Sequence, residues 1–148
     1  MEAVIDAVVV DANIALGLSL PLPYTHVATT QFELWSDLRV ALYAPLLWEY
    51  EIASTLRKAV AVNLIAPADA DDALDRLMRL PLSRVSPDLG LHRSAIRWAG
   101  RLGLTVAYDA QYLALAERLG AELWTADRGL AARAGSAGAA FVHCLLSG

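Results

Sequence analysis

Three aspartates of this chain follow runs that read as strands. Val8-Val9-Val10 leads into Asp11, with Asn13 two residues on. Leu123-Trp124-Thr125 leads into Asp127, and Thr105-Val106-Ala107-Tyr108, which fits a very short strand, leads into Asp109. A β-branched or apolar run that stops at a carboxylate delivers it to the end of a strand. The bland reading of each is a cap for the helix that follows. It is weaker for Asp11, which a wholly apolar run drives out of a buried strand. Ionised carboxylates that share a pocket repel one another, so a chain that gathers them needs a cation. Mg²⁺ suits such a set, since it takes oxygen ligands and keeps several waters. Asn13 adds a neutral oxygen and an amide beside Asp11; its bland reading is again a helix cap.

A fourth acid comes from Leu46–Val62, which reads as a helix and carries Glu49 and Glu51. Two residues apart is about 200° around a helix, so only one of them faces a given site. Periodicity favours Glu49, in line with Ile52, Ala53, Leu56 and Val60. Glu51 falls in line with Leu47, Ser54, Thr55 and Lys58.

The elements that must position these acids alternate. Strands are expected at Val4–Val10, Ala41–Ala44, Leu82–Val85, Glu122–Thr125 and Ala140–Leu145. Between them, helices are expected over Thr25–Leu38, over Leu46–Val62 with Pro45 at its start, and from Pro67 onward. Further helices follow over Asp88–Leu102 closed by Gly103, Asp109–Leu119 closed by Gly120, and Arg128–Ala134. Leu18–Tyr24, with Pro21 and Pro23, reads as a loop. This alternation predicts an α/β fold with a mostly parallel central sheet and helices on both faces, one domain over residues 1–148. Ligands of such sheets bind beyond the carboxyl ends of the strands, where the aspartates fall.

Other features carry less. Asp69, Asp71, Asp72 and Asp75 read as a solvated helix start. Trp35, Trp48, Trp98 and Trp124 read as core or interface, and Arg128 as a surface residue. Leu46, Leu47, Trp48, Ile52 and Leu56 offer more apolar surface than one packed face requires, which suits a buried helix or an oligomer contact. His26, His92 and His143 are far apart and suggest no site. There is no glycine-rich phosphate loop and no Gly-x-Ser-x-Gly elbow.

With 57% hydrophobic and 19% charged residues, the chain is rich enough for a full core, which excludes disorder. Asp11, Asn63, Pro67 and His143 cut its apolar stretches well short of the ~18 residues a membrane span needs. Glu2 and Asp6 stand where a signal peptide carries Lys or Arg. One cysteine, Cys144, excludes a disulfide framework and a cysteine zinc site. A cytoplasmic protein is expected. The net charge of −4 is not that of a typical nucleic-acid binder. Eleven of the twelve basic residues are Arg, which suits a phosphate ligand or an acidic partner, and equally a GC-rich genome.

Val8-Val9-Val10-Asp11-Ala12-Asn13 resembles the opening of PIN-domain nucleases, an apolar strand followed by Asp-x-Ser/Asn. Pro45-Leu46-Leu47-Trp48-Glu49-Tyr50-Glu51-Ile52-Ala53-Ser54-Thr55-Leu56 is similar to the family's second element. Tyr108-Asp109-Ala110-Gln111-Tyr112-Leu113-Ala114-Leu115-Ala116-Glu117 is similar to its third. Leu123-Trp124-Thr125-Ala126-Asp127-Arg128-Gly129-Leu130 is similar to its fourth, an apolar strand followed by Thr-x-Asp. The likeness spans nearly the whole chain, and the size resembles the VapC-type toxins of toxin–antitoxin pairs. One departure is Ser54, which stands where related sequences often carry Asn.

The resemblance implies that Asp11, Glu51, Asp109 and Asp127 bind Mg²⁺ or Mn²⁺. It chooses Glu51 over Glu49, which remains the fallback. Asn13 and Thr125 would orient the carboxylates from behind. The implied activity is hydrolysis of RNA phosphodiester bonds, with a cognate antitoxin and a homodimer as partners. The alternatives are a stand-alone RNA-processing nuclease and a degenerate binding module without catalysis. A haloacid-dehalogenase-type phosphatase would want a second Asp at Asn13, and a response-regulator receiver a late Lys, whereas the one lysine is Lys58.

Overall fold

The computed structural model describes residues 6–146. Val8, Val9 and Val10 are all fully buried, although neighbours along a strand point to opposite faces. The strand they form, β1 (Ala7–Val10), is therefore covered on both sides. Val4 and Ile5, expected in the same strand, lie outside the described residues. The other strands are β2 (Ala41–Pro45), β3 (Leu82–Val85), β4 (Glu122–Thr125) and β5 (Val142–Cys144). They form one sheet in the order β3-β2-β1-β4-β5, parallel throughout. Val8 pairs with Leu42 on one side and Glu122 on the other. The order turns back between β1 and β4, and ligands of such sheets bind beyond the carboxyl ends of the strands at that point.

The helices are α1 (Ala12–Leu16), α2 (Thr25–Asp37), α3 (Leu47–Ala61) and α4 (Pro67–Met78). They continue with α5 (Leu89–Leu102), α6 (Tyr108–Leu119) and α7 (Arg128–Ser136). The expected α/β fold with a parallel sheet between helices is the one found. Gly103 and Gly120 close α5 and α6 with φ of 70° and 61°, a left-handed turn that costs glycine nothing. Among the described residues no helix is long and apolar enough to cross a membrane.

Two local expectations are corrected, and one element is new. Pro45 does not open a helix. It ends β2 opposite Val85, and the ladder continues as the Leu46 N–H donates to the Val85 carbonyl at 2.9 Å, so α3 starts at Leu47. Thr105–Ala107 is not a strand. Thr105 and Val106 are exposed bends, and α6 begins at Tyr108, which puts Asp109 in a helix's first turn instead of at a strand end. Helix α1 was not anticipated; five residues are too few to show a helical period.

Candidate active site

Asp11 stands directly beyond β1, where its N–H donates to the Trp124 carbonyl at 3.0 Å and extends the β1–β4 pairing past the strand. It occupies the N-cap position of α1, but its side chain makes no cap bond. Instead the carboxylate is buried and accepts a hydrogen bond from Thr125 Oγ1 at 2.8 Å. Thr125, fully buried at the end of β4, also accepts from Asn13 Nδ2 at 3.2 Å and from the Asp127 N–H at 3.0 Å. A hydroxyl has one donor and two acceptor positions, so this one is fully used and its proton is aimed at Asp11. Asn13 Oδ1 accepts from the Ala126 N–H at 3.0 Å. Asn13 therefore ties the turn after β1 to the turn after β4 and does not cap a helix.

Glu51 reaches the same edge from α3. Its Oε1 accepts from the hydroxyl of Tyr112, a fully buried residue of α6, at 2.5 Å. Asp109 lies one helical turn before Tyr112, so α6 presents both on one face. Asp127 is exposed and caps α7, with its Oδ1 accepting from the Leu130 N–H at 3.0 Å. The bland reading thus describes one oxygen of Asp127, while its charge still reaches Asp109.

The electrostatics follow from this placement. Burial is the largest cause that raises Asp11, to about 7; the Thr125 hydrogen bond opposes it, and the charges of Glu51 and Asp109 add to it. Glu51 is raised by burial and by Asp109, against the Tyr112 hydrogen bond. Asp109 is raised by burial and then by Asp127. The four acids expected from the sequence thus share one electrostatic neighbourhood. They are not drawn to a common point: among the described residues, no three His, Cys, Asp or Glu side chains stand placed to hold a metal ion. The donor set still fits a hard cation. It is all oxygen and anionic, and Mg²⁺ keeps several waters and needs only one or two direct carboxylates.

Of the two glutamates on α3, Glu51 is the one whose charge reaches Asp11. Helical periodicity favours Glu49 because it runs the apolar stripe through Ala53 and Val60. The buried stripe of α3 runs through Trp48, Ile52, Leu56 and Ala59, with Ala53 exposed. Glu51 flanks that stripe, beside Ile52. Two residues near the site were not foreseen as contributors. Tyr112 is one, although its spacing of three from Asp109 was a usable signal. Tyr24 is the other; its hydroxyl donates to the Asn13 carbonyl at 2.9 Å, and its pKa is raised by burial and by the Asp11 charge.

The remaining features are structural. Asp69 accepts from the Ala66 N–H at the start of α4, and Asp71, Asp72 and Asp75 are exposed. Trp35, Trp48 and Trp98 are core residues, and half-buried Trp124 stacks on His143. Arg128 is exposed and donates to the Leu146 carbonyl.

No family model matches the chain. Ribonuclease VapC9 of Mycobacterium tuberculosis is 42% identical over 86 residues, 58% of this chain and 65% of the relative. Ribonuclease VapC3 of Pyrobaculum aerophilum is 36% identical over 83 residues, 55% of this chain and 63% of the relative. The chain thus spans slightly less than two thirds of the length of these curated relatives. Among solved structures, PAE2754 from Pyrobaculum aerophilum is 29% identical with a TM-score of 0.61, covering 86% of this chain and 84% of that one. A toxin–antitoxin complex from Klebsiella pneumoniae matches with a TM-score of 0.67 at 16% identity, over 95% of this chain and 98% of that one. VapBC2 from Rickettsia felis, bound to a DNA fragment from its promoter, gives 0.68 at 11% identity, over 93% and 98%. These last two speak for the fold. The resemblance to VapC-type proteins drawn from the sequence is borne out.

Proposed function

We propose that this chain is a metal-dependent ribonuclease and the toxin of a type II toxin–antitoxin pair. The observation that carries the reading is a set of mutually repelling carboxylates at the sheet's carboxyl edge. Among the described residues, the ion pairs are Arg118–Asp88 and His143–Glu122, and neither involves these four acids. The four acids match the chain's whole formal charge of −4, and bound cations would offset the negative charge that a phosphate meets there.

In this reading Asp11, Glu51, Asp109 and Asp127 hold Mg²⁺ or Mn²⁺. When bound there, such an ion would supply Lewis acidity toward water and the scissile phosphate. Thr125 fixes the Asp11 carboxylate, and Asn13 fixes Thr125. Glu51, its carboxyl raised by burial, would accept the proton of the attacking water. The names of the curated relatives support RNA as the substrate. The two complexes support an antitoxin partner. A cytoplasmic homodimer of a one-domain nuclease belongs to the same proposal.

The test is cleavage of RNA by the purified protein. Mn²⁺ or Mg²⁺ should be required, and EDTA should stop the reaction. Equal cleavage in EDTA, in a preparation from which contaminating nuclease has been excluded, would remove the metal mechanism. Absence of cleavage under both conditions would remove the nuclease reading.

A further inference from the structure

We propose that Tyr112 is a positioning residue for Glu51, setting the carboxylate through the bond from its hydroxyl to Oε1. The inference rests on the nuclease reading for its consequence, though not for its geometry. Tyr112 is wholly enclosed, and its hydroxyl lies 2.5 Å from Glu51 Oε1. An ionised carboxylate only accepts, so the hydroxyl is the donor and the direction of the bond is fixed. A charge-assisted bond to a buried donor is among the strong ones. The link also joins elements far apart in the chain, 61 residues between Glu51 on α3 and Tyr112 on α6.

A glutamate is otherwise poorly placed for such work. Its side chain has several rotatable bonds, and Glu51 stands at the flank of a buried stripe instead of within it. Asp11 is short, buried and held by Thr125, whereas Glu51 must be reached from another helix. With one oxygen committed to Tyr112, the carboxylate offers its other oxygen in a defined direction. Because Asp109 and Tyr112 share a face of α6, one rigid helix would then set two of the four acids at once. A phenylalanine fills the same buried space, so the core alone does not require the hydroxyl.

The experiment is a double-mutant cycle between Tyr112→Phe and Glu51→Gln in the full chain. Two quantities are read: Mn²⁺ affinity by calorimetry without RNA, and kcat and KM for cleavage of a mixed-sequence RNA oligonucleotide with Mn²⁺. Tyr112→Phe alone should lower kcat by about 10–100-fold and weaken Mn²⁺ binding measurably, the range seen when a ligand loses its hydrogen-bond partner. KM should stay within about twofold. In the Glu51→Gln background the same change should cost less than about twofold in either quantity, since its effect acts through Glu51.

Equal losses in both backgrounds would overturn the proposal, because a merely structural tyrosine is indifferent to residue 51. So would a Tyr112→Phe protein as active as the wild type. If the wild type binds Mn²⁺ with the expected coupling but cuts no RNA, the nuclease reading falls and the positioning role stands. If it cuts RNA and the losses are additive, the reverse holds. If it binds no Mn²⁺, both fall.

Discussion

Asp11 and Asp88 occupy the same local position, the N-cap of a helix, in extended backbone. Their surroundings are opposite. Asp88 is exposed, caps α5 by accepting from the Leu91 N–H at 2.8 Å, and pairs with both terminal nitrogens of Arg118 at 2.6 and 2.9 Å. These partners hold its carboxyl well below the usual range. Asp11 is buried, caps nothing with its side chain, and has a threonine for its partner while two other carboxylates add their charge. The chain does not lack guanidinium groups to spare. Arg84, Arg101 and Arg133 donate to main-chain carbonyls. An aspartate that serves the fold is given its cation by the fold. Asp11 is denied one at a cost in stability, which is the arrangement expected where a cation comes from outside.

Breaking each aspartate in turn tests this contrast most directly. Asp11→Asn should reduce RNA cleavage by more than the roughly 10–100-fold that a lost partner of a ligand costs, since the proposed ligand itself is removed. Asp88→Asn should leave cleavage unchanged. An Asp11→Asn protein that cuts at wild-type rate would equate the two aspartates and end the distinction. Next in size, Glu51→Gln should cost far more activity than Glu49→Gln, measured as kcat with Mn²⁺. A larger loss at Glu49 would mean that the turn of α3 seen here does not serve the reaction.

Metal should also act on stability. A cation that binds only the folded state stabilises it by about 2.7 kcal/mol at a hundredfold excess over its dissociation constant. Mn²⁺ should therefore raise the melting temperature of the wild type. Asp109→Asn should raise it in EDTA, by removing a repelling charge, and should shrink the rise with metal. A fall in EDTA with an intact metal effect would make Asp109 a helix-dipole residue only.

The site was unevenly legible in the sequence, for reasons that can be named. Asp11 and Asp127 were found because an apolar run and a polar stop mark a strand end whatever the rest of the chain does. Asp109 was found by the same rule wrongly applied: Thr105-Val106-Ala107 has the composition of a strand, but no neighbour in the sheet takes it. Choosing between Glu49 and Glu51 needed the true buried face of α3. That face is the buried stripe of Trp48, Ile52, Leu56 and Ala59, a tertiary fact that periodicity resolves only to about one residue. Tyr112 lay inside an apolar run where a tyrosine looks like core, and only the approach of α3 to α6 shows where its hydroxyl goes. The parallel sheet was the most legible feature, since Val8-Val9-Val10 is too apolar to have a solvated face.

The contrast is also sharpened through pH. The Asp11 carboxyl is raised from an ordinary 3.8 to about 7 in the folded protein. Between those values the folded state holds a proton that the unfolded state has lost. The stability from this group is full below about 4 and is lost as the pH rises toward 7. Glu51 and Asp109 are raised too and slope the same way. Asp88 has the opposite sign. Its folded carboxyl is lowered, so its contribution is present above the ordinary 3.8 and lost as the pH falls below that. Denaturant melts in EDTA should therefore show stability declining from about pH 4 to 7 by linkage. Asp11→Asn should flatten that decline, and millimolar Mn²⁺ should flatten it in the wild type by balancing the charge. Asp88→Asn should leave the decline intact and soften only the loss on the acid side. That last change should be slight, because an exposed ion pair is worth little. A decline unaffected by both Asp11→Asn and Mn²⁺ would place its origin outside the acidic edge. The electrostatic difference between Asp11 and Asp88 would then have no bearing on what that edge binds.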